Sequence, residues 1–434
     1  MAQREKLIVA FLAVRPPLLH NQKGHIIPLF MNVIKQRALA LLVVLGATFS
    51  LAPTVRASAI VNVKDYGAKG DGITDDAPAI QRAIAALAST GGTVNLSAGT
   101  YMLGTSAGGV EYYPNGQPIQ NAIIIDKSNV IFKGTGKTTI LKLMPHTKMR
   151  AISITGSHVT VDSITVDGNK SQRNGSVGWP NADVVDGLVC GDQTGNHITI
   201  QNCEVRNGIE DGVGFWKSDD AMVQHCYNHD NGTPQAGGSG FSLSGGAKAK
   251  AVGNRSENNT IGMWSAFGSH NVTIRDNAIK HNTQEGIVIG GFTVMNGAGN
   301  NSGFTIGDNT LEGNGSAGFA AISIASASNG TISGNTIINN VNDGIYLSDD
   351  GVNPPSSNWM IQSNICSNTA SNHVQKFGIR ILARSTGITL KQNTCENNGQ
   401  SLSDQIVVAG TASVNGDWKT ANSLSYGGTT ATFP

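Results

Sequence analysis

The stretch Val213-Gly214-Phe215-Trp216-Lys217-Ser218 sets an amine between an indole and a hydroxyl. Such an amine serves either as a base or as a cation that meets a carboxylate. The indole offers an apolar face on which a sugar ring can stack. His229 and Arg255 follow downstream and would add a second proton carrier and a second cation. Asp186 and Asp211 each precede a glycine, one repeat apart. Stacked in adjacent strands they would lie about 4.7–4.9 Å apart. That spacing suits a carboxylate pair for glycoside hydrolysis or two ligands for Ca²⁺. Asp before Gly also serves ordinary turns. The catalytic candidates are therefore Lys217, Asp186, Asp211 and His229, with Glu210, Asp219 and Asp220 as further acids nearby.

These side chains need a scaffold, and the sequence repeats. The segments 197–208, 221–232, 250–259, 271–282, 303–314, 330–340, 358–368 and 387–398 align on one column. That column reads Cys203, Cys226, Asn254, Asn277, Asn309, Asn335, Asn364 and Asn393. Self-similar units of this length indicate a solenoid. Each holds short apolar runs of period two and no helical pattern. The expected fold is all-β, a single-stranded right-handed parallel β-helix with one coil per repeat. Asn suits a tight corner because it tolerates the left-handed conformation, and stacked amides can bond from coil to coil.

A second column begins with glycine, at Gly187, Gly212, Gly240, Gly262, Gly286, Gly344 and Gly378. Alternation then sends Val213, Phe241, Met263 and Ile287 inward, and Ser242, Trp264, Val288, Tyr346 and Arg380 outward. The outward strip forms one long face on which a polymer would lie. Trp216, Trp264, Ser218, Ser242 and Arg255 are its expected ligand contacts, with Tyr346 and Arg380 holding distant units. Residues 74–92 read as a capping helix, with Thr74 or Asp75 at its N-cap and Pro78 in its first turn. Residues 60–398 form the β-helix, and 399–434 a C-terminal cover or tail.

Composition narrows the class. A formal net charge of +1 and 14% charged residues argue against a nucleic-acid partner. Gly134-Thr135-Gly136-Lys137-Thr138 mimics part of a phosphate loop, but Ile131 stands where the first glycine belongs. Residues 31–59 carry Lys35 and Arg37, an apolar run from Ala38 to Leu51, and Ala57-Ser58-Ala59. That is the layout of a secretory signal peptide cleaved near Ala59. Residues 1–30 then read as an over-extended start. The expected product is secreted or periplasmic, free of the membrane after cleavage, and monomeric. The five cysteines fall into the coil register and read as buried thiols. Disulfides between Cys203 and Cys226, or Cys366 and Cys395, are the other option.

The segment VKDYGAKGDGITDDAPAIQRAI (63–84) with GGTVNLSAGTYML (91–103) resembles the opening of the pectate-lyase-like β-helix superfamily. Residues 60–300 are similar to the catalytic module of secreted mannuronan C5-epimerases, through GTGKTTILKL (134–143), ITVDGNKSQRNG (164–175), VDGL (185–188) and HDNG (229–232). The resemblance implies an acidic polysaccharide substrate and, for some members, Ca²⁺. The family's Tyr-Gly-x-Asp-Pro-His motif falls on residues 213–218, where Val213, Trp216 and Ser218 replace Tyr, Asp and His. Its Lys falls on Val184, and its Asp survives as Asp186. The scaffold carries over and the family's catalytic set does not. Lys217, inside the replaced motif, becomes the expected base or carboxylate neutraliser for β-elimination or C5 epimerisation. A glycoside hydrolase using paired Asp residues, and a non-catalytic polysaccharide-binding or export protein, are the alternatives.

Overall fold

The computed structural model describes residues 59–431 apart from 113–117, 174–186, 235–236, 291–300, 316–317, 349–353, 370, 372–373 and 383. Asp186 and the proposed export segment lie outside the described residues. No helix of the described residues is long and apolar enough to cross a membrane.

The chain winds as a right-handed parallel β-helix, and among the described residues its strands form three sheets of 14, 14 and 12 strands. One coil shows the plan: Lys250–Val252 in the first sheet, Arg255–Glu257 in the second, Ile261–Ser265 in the third. Each strand pairs in parallel with its equivalent one coil on, as Ala251↔Ile274 and Ser256↔Ile279 do. Inward residues stack into one core. Val213, Phe241, Met263 and Ile287 follow each other in register and are fully buried.

The Asn column is a hydrogen-bonded ladder. Asn277 Nδ2 donates to Asn309 Oδ1 at 2.9 Å, Asn309 to Asn335 at 2.9 Å, and Asn335 to Asn364 at 2.9 Å. The left-handed residue at each corner is the one before the Asn, as at Asp276, Asp308, Ser363 and Gln392. The Asn residues are selected by their amides, not by positive φ. A second ladder runs along the opposite end of the second-sheet strands from Tyr227–His229 onward: Asn231, Asn259, Asn282, Asn314 and Asn340, continued by Gln375. Each amide answers a buried backbone group that a corner leaves without a strand partner.

Each end of the stack carries an added element. The helix α1 (Ala77–Ala86) has Asp76 at its N-cap, one or two residues later than expected. The Asp76 carboxylate is taken by the amides of Lys69 and Gly70 at 2.6 and 2.9 Å. Asp75 Oδ1 reaches the Ala77 amide instead, at 3.2 Å. The β-helix also runs past residue 398. Ile406–Val408 extends the third sheet and Ser423–Tyr426 the second. The chain then reverses, and Thr429–Thr430 pairs antiparallel on that last strand. All five cysteines are free and buried. Cys366 and Cys395 stack in register inside the core, and Cys226 takes the Asn254 amide oxygen on its backbone N–H at 2.9 Å.

Candidate functional site

The outward row of the third sheet runs Gly214, Ser242, Trp264, Val288, Ser323, Tyr346 and Arg380, each paired with the next. The expected strip is therefore one continuous row, and Trp216 lies level with Ser244 beside it. Ser242 is buried at 7% exposure, so the floor between the tryptophans is narrow.

At the corner after this sheet, Lys217, Gly245 and Phe267 all take the left-handed conformation, at φ 55°, 76° and 59°. A bulky aromatic there is unusual for an L-residue, and such backbones concentrate at functional sites. Phe267 meets Trp216 edge-on at 5.2 Å and Trp264 edge-on at 5.3 Å. It props the two indoles as a half-buried platform. Lys217 is exposed, and its Nζ lies 5.3 Å from the centre of the Trp216 ring. Its stem crosses Gly245, where an added Cβ would approach Lys217 Cγ to 2.9 Å. Glycine is what leaves that slot open. Phe267 was not legible beforehand, because it belongs to no repeated column.

Several expected contacts lie elsewhere. Ser218 is buried, and its hydroxyl donates to the Asp192 carbonyl at 3.2 Å, so it does not face a ligand. Asp211 is buried, and its Oδ1 accepts from Ser239 N at 2.5 Å and Ser239 Oγ at 2.7 Å. The pairing Val189↔Val213 sets Asp211 level with Gly187, one residue off the expected match with Asp186. Asp186 itself lies outside the described residues. Asp211 Oδ1 is thus committed to a coil-to-coil bond. Asp219 receives the Ala247 amide at 2.8 Å and Asp220 pairs with Lys248 at 3.8 Å, both at a corner.

His229 and Arg255 belong to the second sheet, not to the strip around Lys217. His229 Nε2 faces Glu204 Oε1 at 3.1 Å and its Nδ1 faces Asp230 at 2.6 Å. Arg255 chelates Glu257 at 2.5 Å and stacks 4.5 Å over Tyr227. Burial works against the charge on Glu204, but His229 and Arg206 hold its carboxyl below the usual range. These groups form an ion-pair ladder across coils.

One acid beside the strip went unread. Glu285 precedes Ile287, which pairs with Met263 of the Trp264 strand. Burial pushes its carboxyl up from 4.5 to about 7. Between those values the unfolded chain releases a proton that the folded chain keeps, so this group makes stability fall as pH rises through that window. Glu285→Gln is expected to lose less melting temperature than the parent between pH 5 and pH 8. An equal loss in both proteins, followed by calorimetry, would contradict it.

Comparison with known proteins places the fold among relatives. The family model described as Rhamnogalacturonase A/epimerase, pectate lyase-like, matches residues 60–288. A second, for the periplasmic copper-binding protein NosD, matches residues 194–430. Among the described residues no group of three or more His, Cys, Asp or Glu could hold a metal ion. The chain is 34% identical over 191 residues to Mannuronan C5-epimerase AlgE1 of Azotobacter vinelandii, covering 40% of this chain and 12% of that protein. It is 33% identical over 159 residues to Alginate lyase 7 of the same organism, covering 33% of this chain and 16% of that one. The chain thus spans well under a fifth of either relative. The A-module of Mannuronan C-5 epimerase AlgE6 from A. vinelandii superposes with a TM-score of 0.53 at 19% identity, over 86% of this chain and 99% of that one. That likeness bears on the fold alone. With the family model spanning more than half of its length, the chain belongs to the pectate lyase-like Rhamnogalacturonase A/epimerase family.

Proposed function

We propose that the protein acts on a uronate-containing polysaccharide, such as alginate or pectate, by removing the proton beside a sugar carboxylate. That step opens both β-elimination and C5 epimerisation. A group must take the proton, and a cation must meet the carboxylate as charge develops. Lys217 fills one of these roles. The observation that carries the reading is its exposed ammonium beside Trp216, on the face that Trp264 and Phe267 complete. Sugar rings would stack on the indoles. Kinship with a mannuronan epimerase and an alginate lyase supports the substrate class. Calcium and export through residues 31–59 belong to the proposal. Calcium is tested by running the assay with and without a chelator.

Hydrolysis is the second reading, favoured by Glu285, whose carboxyl keeps its proton to near neutrality as a general acid requires. The test is ultraviolet absorbance of unsaturated uronate, with alginate, polymannuronate, pectate and glucuronan as substrates. A rise on any of them establishes β-elimination. A flat trace, with no new reducing ends and no change in uronate epimer content by NMR, removes all three reactions on these polymers and leaves binding.

A further inference from the structure

We propose that Arg380, clamped between Tyr346 and Phe377, forms a remote subsite that takes the carboxylate of an acidic sugar unit at the far end of the Lys217 face. The inference rests on the polyuronate reading above. Arg380 sits in the same outward row as Trp264, four coils further on. Its guanidinium carbon lies 4.4 Å from the Tyr346 ring centre and 5.0 Å from that of Phe377. Its Nε and Nη2 both donate to Asp343 Oδ2, at 2.9 and 2.5 Å. Asp343 is wholly buried. Three contacts therefore fix the plane of one guanidinium, and the side chain still keeps 26% of its surface exposed.

This is the architecture of a receptor, not of a surface ion pair. An isolated exposed pair would leave Arg380 mobile and would contribute little. Here one edge of the fork is spent on the buried carboxylate. Nη1 has no partner among the described residues and is left to donate outward. A guanidinium edge held rigid loses little entropy when it meets a second carboxylate. The local charge also favours an anion. Burial pushes the Asp343 carboxyl up, and Arg380 and Lys376 both act against that shift. Two cations thus surround one carboxylate that solvent does not reach.

Between Trp264 and Tyr346 the row holds Val288 and Ser323, neither of them a large side chain. Arg380 is six coils from Gly214 in the Lys217 strand, roughly 29 Å at the usual strand spacing. A linear polymer with a charge on every unit would meet Lys217 and Arg380 together, and only beyond a minimum length. Two linked contacts then act as one tighter one.

The test is the binding of purified uronate oligomers of increasing length, by calorimetry, to the parent, to Arg380→Gln, and to Asp343→Asn/Arg380→Gln. The double variant removes both charges, so no buried carboxylate is stranded if the single one unfolds. In the parent, affinity is expected to step up once an oligomer spans the face. Both variants are expected to lose the step and to bind the long oligomers about tenfold more weakly, the worth of one charge-assisted contact. A step that persists in the double variant overturns the subsite, as does a parent that binds uronates with no step. Neutral oligomers of equal length that show the same step would overturn the carboxylate assignment. A parent that binds no uronate of any length would instead sink the polyuronate reading on which the subsite rests.

Discussion

Lys217→Ala is expected to lower turnover on the responsive polyuronate by about 10²–10⁴-fold, the range for losing a positioned proton-transfer group. Melting temperature should hardly move, because the side chain is exposed and makes a cation–π contact worth only about 0.5–1 kcal/mol at such a site. Lys217→Arg then separates the two roles. Arginine keeps the cation but does not give up its proton. Retained activity would assign Lys217 to the carboxylate, and loss equal to that of alanine would make it the base. Full turnover in Lys217→Ala combined with loss in Glu285→Gln would move the reaction to hydrolysis.

Asn309→Leu is expected to cost about 3–5 kcal/mol of unfolding free energy, the largest effect of any single polar substitution considered. Leucine is close in size, so the change is one of hydrogen bonding. Asn309 Nδ2 donates to Ile274 O and to Asn335 Oδ1, at 3.0 and 2.9 Å. Its Oδ1 accepts the Asn277 backbone N–H at 3.0 Å and the Asn277 side-chain amide at 2.9 Å. The residue is buried, so each orphaned partner carries a desolvation penalty of about 1–3 kcal/mol. Urea unfolding monitored by circular dichroism measures the loss. Thr283→Ala, at an exposed position, provides the comparison and should stay within about 0.5 kcal/mol. A cost for Asn309→Leu as small as that of Thr283→Ala would show that the ladder is ornamental to stability.

Much of the fold was legible because each coil poses the same demands. The inward positions of Val213, Phe241 and Met263 and the outward row from Ser242 to Arg380 follow from period two. The Asn column was visible for the same reason: the expected amide bonds from coil to coil are formed, while the left-handed turn falls to the neighbouring residue instead. What was not legible lies at the corners. Corner lengths vary, so alternation tells in from out but not which sheet a distant residue reaches. His229 and Arg255 were drawn to Lys217 by nearness in sequence, whereas a corner and the whole third-sheet run separate them. Around Asp211 the register is set by the Leu188 and Val189 amides, which bond to the Asp211 and Gly212 carbonyls. Phe267 could not be found by any period, since only its strained corner places it between the tryptophans.

The reversal of the chain at Thr429–Thr430 bears on how molecules meet each other. A stack of parallel strands finishes in a row of open donors and acceptors whose spacing matches the start of another stack. Copies that docked head to tail would not close, and the product would be a fibre. The strand laid across the second sheet runs the opposite way, so it presents a bonding pattern with alternating spacing where a parallel newcomer needs an even one. At the other end α1 lies against the first strand-forming segments. A protein built from interchangeable layers thus carries, on the last strand of its second sheet, a layer that is not interchangeable.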